Sequence, residues 1–441
     1  MGTLLQDVRR WLALRAFAPT PPTALERSSF PLPEDVTARL QDIVASLSTP
    51  LPYSDAIRKA LLEAIVRWQQ QPEQNNVLVV LCSPIEPLGQ YIEHALSSWH
   101  SLDERSLRIL RWKAIPANPD TFVTRLRTEI GTQLKASPQI GHSNEVDDPF
   151  EIEPNNDLTN DLGSTDTDEL QQLGIVLPEL DQYFVRCIEG MEGVLYLRKE
   201  VQKDPQRFWV IGCNFWAWEY LSIVSKMDAY FDRTVSLPSL TGQELRDWLT
   251  PARQYLRASL PDVDSPNPSA DTAHFDSLAR VTGGLSSVAA RLWLSSLHLV
   301  NPSEAATNLS GLAGVGLAGA TLAGATLTGT TPISSQPSEQ TDMDTPPLQL
   351  ELLRPTAPKP ANLSAGDRYL LYSLLLHNGL QFWHLALSLG ETESLVQARV
   401  KGLQRQGIIE QRGRNWYVRP EYYPNLRSTL AGNNFLVAKD G

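Results

Sequence analysis

A three-layer α/β domain with a mostly parallel sheet, followed by a small helical subdomain and a C-terminal winged helix-turn-helix, is the fold the sequence predicts. Three observations carry it. First, short, continuously apolar runs such as Val77-Leu78-Val79-Val80-Leu81 read as strands buried on both faces. Second, such runs alternate with helical patterns, at Gly174–Leu177, Arg207–Asn214 and Arg233–Leu237. Third, three helical stretches after residue 364 lead into two short strands around Arg412-Gly413-Arg414-Asn415. The bulk composition agrees with a folded, multidomain chain: 441 residues, 42% hydrophobic and 20% charged. With 38 basic against 50 acidic side chains the formal charge is −12, which excludes wholesale wrapping of nucleic acid but leaves room for one basic module. Three cysteines, Cys82, Cys187 and Cys213, exclude a disulfide scaffold.

The elements follow in order. Met1–Ala18 is predicted helical, and its Arg9, Arg10, Arg15 and Asp7 argue against a signal peptide. Two amphipathic helices, Pro33–Ser46 and Ser54–Gln70, complete an N-terminal helical segment over 1–75, with Ser54 as the expected N-cap. The α/β domain spans 76–240: the strand at Val77, a helix Leu88–Trp99, a strand Leu107–Ala114 and a helix Pro119–Leu134. Residues 136–172 carry ten acidic side chains and neither Lys nor Arg, which predicts a disordered acidic insert. After Gly174–Leu177 a helix is expected through Leu197, and after Arg207–Asn214 a helix holding Trp216, Trp218, Tyr220 and Leu221. Residues 241–300 read as helices at Thr241–Thr250, Asp276–Val281 and Ser286–Leu299. Residues 301–363, with eight prolines around a Gly/Ala/Thr tract, read as a low-complexity linker, although Leu312, Leu317, Leu322 and Leu327 also suit a five-residue β-helix repeat. The winged-helix domain is 364–441, with helices Asp367–His377, Gln381–Leu389 and Glu391–Gln406 and strands Ile408–Gln411 and Trp416–Val418. No apolar run reaches the roughly 18–20 residues of a membrane span, so a cytoplasmic protein is expected.

The turn after the first strand is where a phosphate-binding loop would sit. That chemistry wants Gly-x-x-x-x-Gly-Lys followed by Ser or Thr, so that backbone N–H groups face the phosphates, the Lys neutralises charge and the hydroxyl holds Mg²⁺. The matching residues are Pro84-Ile85-Glu86-Pro87-Leu88-Gly89-Gln90-Tyr91. Gly89 fits. Pro84 replaces the first glycine, Gln90 the lysine and Tyr91 the metal-binding hydroxyl, while Glu86 adds an anion. In Ile175-Val176-Leu177-Pro178-Glu179, Glu179 stands where a water-activating acid would, and Pro178 replaces the metal-binding Asp. Asn214, ending its strand, could touch a γ-phosphate or cap the next helix.

These residues, with Tyr183-Phe184-Val185-Arg186, Phe231-Asp232-Arg233, Leu237-Pro238-Ser239-Leu240 and Gly283-Gly284-Leu285 leading to Arg291-Leu292-Trp293, resemble the AAA+ ATPases. The branch most similar is that of the origin-recognition and STAND-type P-loop NTPases, and the resemblance covers roughly 35–300 and 364–425. It implies a P-loop NTPase-like fold with a helical lid over 241–300. It further implies Glu179 as the remnant of the Walker B acid, Asn214 at sensor 1, Arg233 as a possible arginine finger and Arg291 as a sensor-2 candidate. Gly89 and Gln90 are the vestige of the Walker A loop. The expected function is a non-catalytic AAA+-like scaffold or adaptor in signalling or regulation, with no cofactor. One alternative is an ATPase with a deviant loop, binding ATP and Mg²⁺ in an oligomer. The other is a DNA-binding regulator.

Remaining chemistry is sparse. The seven histidines, His94, His100, His142, His274, His298, His377 and His384, show no metal-ligand spacing and are expected to be solvated or capping. The cysteines, with Cys187 placed on a helix, are expected to pack rather than react. Phe208, Trp209, Trp216 and Trp218 are expected to pack a core or to stack on a ligand. Partner contact is expected from Arg399, Lys401 and Arg405 on the third helix of the winged domain and Arg412 and Arg414 on its wing, with protein or DNA as the target. Tyr422, Tyr423, Phe435 and Leu436 are expected to be exposed for docking.

Overall fold

The computed structural model describes residues 29–71, 76–97, 107–110, 115–116, 118, 120–135, 174–205, 207–231, 233–261, 263, 267–300 and 349–437. The expected helix at Met1–Ala18, the acidic insert and the leucine repeat lie outside them. A short strand β1 (Ser29–Pro31) leads to helices α1 (Glu34–Ala45) and α2 (Leu51–Gln70). The α/β body then runs β2 (Val77–Cys82), α3 (Leu88–Ser97), β3 (Leu107–Ile109), α4 (Thr121–Lys135) and β4 (Gly174–Leu177). It continues with α5 (Glu192–Lys203), β5 (Phe208–Asn214), α6 (Phe215–Ser225), α7 (Met227–Tyr230) and β6 (Thr234–Ser236). The helical lid comprises α8 (Gly242–Trp248), α9 (Thr250–Ser259), α10 (Pro268–Thr282) and α11 (Ser286–Ser296). Strands β7 (Leu297–Val300) and β8 (Gln349–Leu352) follow. The winged helix closes the chain with α12 (Ala365–Leu376), α13 (Phe382–Leu389), α14 (Glu393–Arg405), β9 (Ile409–Arg412), β10 (Asn415–Val418) and α15 (Tyr423–Ala431).

The main sheet has the order β3-β4-β5-β2-β6, every pairing parallel. Every residue of β2, β4 and β5 is buried, so both faces of the sheet centre are covered, as continuous apolar runs require. The C-terminal ends of β2, β4 and β5 therefore meet at one edge, and they carry the Ser83–Pro87 turn, Glu179 and Asn214 respectively. Gly212 in β5 lets the Pro178 carbonyl approach, because a Cβ there would sit 2.1 Å from it. The Gly283-Gly284 pair of the lid has φ of +65° and +72°, a left-handed conformation glycine adopts at low cost. A Cβ on Gly284 would also meet the Leu240 backbone at 2.5 Å.

Several boundaries differ from expectation. Helix α2 starts at Leu51 behind Pro50, with proline in its first turn, and Ser54 is buried inside it rather than capping it. No helix directly follows β4: a 3-10 turn, Leu180–Gln182, and an irregular stretch precede α5, and Cys187 lies in that stretch. That stretch buries Tyr183, Phe184 and Val185, so its apolar content serves a loop and not a helix face. The expected helix to Leu299 ends at Ser296, because β7 becomes the middle strand of a three-stranded sheet with β1 and β8. Strand β8 lies within the stretch read as linker, so that stretch holds ordered chain at its C-terminal end.

Candidate functional site

The turn after β2 is almost wholly buried, in contrast to a loop open to a ligand. Glu86 is 2% exposed, and its carboxylate lies at the N-terminus of lid helix α11. Oε1 accepts from the Ser287 backbone N–H at 3.1 Å. Oε2 is 2.7 Å from the Ser286 hydroxyl, 2.9 Å from the Ser287 hydroxyl and 2.7 Å from the Tyr91 hydroxyl. Tyr91 and Ser286 are themselves 2.8 Å apart, so one of the two protons can be shared between them and the carboxylate still keeps at least three donors. Burial, and next the Glu86 carboxylate, push the Tyr91 hydroxyl well above its ordinary value. Tyr53 from α2 completes the corner, its ring 5.4 Å from that of Tyr91 and its hydroxyl donating to the Gly284 carbonyl. Tyr91, at the position of a metal-binding hydroxyl, thus serves an internal contact.

The remaining Walker-like residues diverge. Gly89 is buried against Glu179, whose Oε1 would lie 2.8 Å from a Cβ there. Gln90, at the lysine position, is exposed. Beside them is a cleft of about 210 Å³ lined by Gln90, Glu93, Glu179, Gln182 and Tyr183, among others. A nucleoside triphosphate with its metal does not fit these residues: Gln90 supplies no positive charge, the Tyr91 hydroxyl is bonded to Glu86, and the carboxylates of Glu93 and Glu179 line the adjoining space. Among the described residues no group of three His, Cys, Asp or Glu side chains could hold a metal ion.

Asn214 and Arg291 are brought to the winged helix instead. Asn214 caps α6, its Oδ1 accepting from Ala217 N–H at 2.8 Å. Its Nδ2 donates to Asp181 Oδ2 at 3.2 Å and to the Leu376 carbonyl, the last residue of α12, at 3.0 Å. Next to it His377 is fully buried; Nδ1 donates to the Asp181 carbonyl at 3.1 Å and Nε2 accepts from Arg186 N–H at 3.3 Å. Gln182 donates to the His377 carbonyl at 2.6 Å, and Arg186 to the Ser388 carbonyl at 3.1 Å. Burial, reinforced by the Glu179 carboxylate and opposed by the Asn214 hydrogen bond, pushes the Asp181 carboxyl up to about 7. Burial pulls His377 down to about 3, against the hydrogen bond its Nδ1 donates to the Asp181 carbonyl. Arg291 pairs with Glu410 of β9 at 3.5 Å.

The histidine and aromatic expectations change accordingly. His274, His377 and His384 are buried bridges, not solvated groups; a His384 ring nitrogen lies 2.9 Å from the Pro116 carbonyl. Cys82 and Cys213 are buried, and Cys187 is half-buried. All four clustered aromatics are buried, and Trp216 donates to the Tyr423 hydroxyl at 3.2 Å. Tyr423 is therefore not an exposed docking group, and Phe435 packs on Tyr369 and Tyr372. The docking partner of that segment is this chain's own α/β body and α12.

Of the expected contact residues, Lys401, Arg405, Arg412 and Arg414 are exposed. Arg399 pairs with Glu391 at 3.2 Å, and Arg412 with Glu410. Arg233 is half-buried at the start of β6, its carbonyl accepting from Val79 N–H, away from the edge that holds Asn214. Sequence reasoning missed Asp181, Gln182 and Arg186, whose polar roles become visible only once α12 lies over them. No helix among the described residues is long and apolar enough to cross a membrane.

No family model and no curated protein matches the sequence. Among solved structures the chain is similar in layout to RuvB of Thermotoga maritima, with 14% identity, 85% of this chain and 94% of that one covered, and a TM-score of 0.28. It is likewise similar to Cdc6p from Pyrobaculum aerophilum (11%, 91% and 98%, TM-score 0.30). A third is the Aeropyrum pernix ORC2 protein (10%, 87% and 96%, TM-score 0.33). The parallel five-stranded sheet covered on both faces, the helical subdomain after it and the C-terminal winged helix together make this a three-layer α/β fold with a helical and a winged-helix part appended.

Proposed function

We propose that this chain is a non-catalytic AAA+-like scaffold or adaptor, acting in signalling or regulation through protein contacts of its winged helix. One observation carries the reading. The two residues at positions that would sense a nucleotide, Asn214 and Arg291, are bonded to the Leu376 carbonyl and to Glu410 of the winged helix. A group committed to a domain junction is not available to a γ-phosphate without breaking that junction. The substitutions at Pro84 and Gln90 act in the same direction, since each lost charge-assisted contact costs on the order of 1.5–3 kcal/mol.

Protein contact suits the winged helix better than DNA, because Arg399 and Arg412 already have carboxylate partners in Glu391 and Glu410. The exposed Lys401, Arg405 and Arg414 are what favours the second reading, a DNA-binding regulator. Calorimetric titration of Mg-ATP into the full chain is expected to show no saturable binding up to millimolar nucleotide. Micromolar binding lost in Glu179→Gln and Asn214→Ala would overturn the adaptor reading in favour of a deviant ATPase. A salt-sensitive shift of duplex DNA, lost in a Lys401→Ala/Arg405→Ala chain, would favour the regulator.

A further inference from the structure

We infer that Glu86 is a built-in anionic ligand for the lid, a tethered carboxylate that holds helix α11 closed on the β2–α3 turn without any external anion. The argument starts from cost. A carboxylate taken out of water is strongly unfavourable unless hydrogen bonds replace its hydration. Glu86 is 2% exposed, and its donors are neutral: three hydroxyls and one backbone N–H. What makes the seat fit a negative charge is the start of α11, where N–H groups lack intrahelical partners and the helix dipole is positive. The Ser287 N–H is one such group, and Glu86 satisfies it at 3.1 Å.

The contacts join parts of the chain about 200 residues apart, since Glu86 reaches Ser286 and Ser287 across the interface between the turn and the lid. Two further features hold the same corner. Pro84 and Pro87 stiffen the turn that presents Glu86. Tyr53 spans from α2 to the Gly284 carbonyl, within the loop that feeds α11. The lid is thereby fixed to the body on the side where α11 begins, and the sequence pairing of a buried Glu in the turn with Ser-Ser at the helix start is its signature. The inference is separate from the adaptor reading: a chain that bound nucleotide elsewhere at this edge would still carry the latch.

Hydrogen–deuterium exchange on the full chain tests it, with Glu86→Ala, Glu86→Gln and acetate as the probe. Acetate is the fragment that Glu86→Ala removes. Amides over 284–291 are expected to exchange at least tenfold faster in Glu86→Ala, with those of β5 unchanged. Glu86→Gln, which keeps an acceptor but not the charge, should fall between the variant and the wild type and covers the case in which Glu86→Ala fails to fold. Acetate at tens of millimolar should slow exchange over 284–291 in Glu86→Ala and leave the wild type unaffected, whereas equal chloride should do neither. Unchanged exchange over 284–291 in both variants, or equal effects of acetate and chloride on Glu86→Ala, would overturn the latch.

Discussion

Asp181 and His377 are buried side by side at the junction of the α/β body and the winged helix, and their shifts have opposite consequences for stability. Asp181 titrates near 7, above its ordinary value near 3.8, so the stability it contributes is complete below 3.8 and lost as pH rises through 7. His377 titrates near 3, below its ordinary 6.5, so its contribution is complete above 6.5 and lost as pH falls toward 3. Between about pH 4 and 6.5 the two slopes oppose each other: folded Asp181 holds a proton that the unfolded chain releases, and unfolded His377 takes one that the folded chain refuses. Asp181→Asn removes one slope and keeps a hydrogen-bonding group toward Asn214. Relative to wild type, the variant should gain stability steadily across that window, by up to about 1.4 kcal/mol per pH unit. Denaturant melts at half-unit pH steps check this, and parallel curves for the two proteins would contradict the pairing. None of this was legible in the sequence, where Asp181 falls in the stretch expected to form a helix after Gly174–Leu177.

At the scale of elements, two of the contacts that hold the winged helix are of different kinds. Trp216 of α6 is buried against Tyr372 and Tyr423, a large apolar anchor with a hydrogen bond at its tip. Glu410 of β9 gathers Arg291 from the lid with Arg412 and Arg419 of its own domain. Trp216→Ala should cost about 3–5 kcal/mol, independent of salt. Glu410→Gln should cost about 1 kcal/mol or less, shrinking as salt rises, because the pairs are partly exposed. Chemical denaturation of both variants at low and high salt separates the two contributions. The strands that position these contacts were readable from their β-branched, continuously apolar runs, and the winged helix from its periodicity and wing. The loop after β4 was not, because Tyr183-Phe184-Val185 has the apolar content of a helix face and packs as irregular chain. The end of α11 was not either, since four residues, Leu297–Val300, suit helix and strand alike until β1 and β8 supply partners.

For the molecule as a whole, the edge of the sheet that a nucleotide would occupy is an interface among three parts of one chain. Glu86 joins the turn to the lid, Asn214 joins β5 to α12, and Arg291 joins the lid to β9. The departure of the turn from the phosphate-loop pattern was legible at Pro84, Glu86 and Gln90, residue by residue. The contacts made at that edge were not, because Ser286, Leu376 and Glu410 lie far along the chain and carry no local sign of their role. These contacts, all within one chain, tie the helical subdomain and the winged helix to the sheet body and to each other. The most direct measurement is hydrogen–deuterium exchange of the wild-type chain with and without millimolar Mg-ATP. Superimposable exchange over residues 83–91, 214–217, 284–291 and 376–378 is the predicted result; nucleotide-dependent protection at those amides would contradict the account.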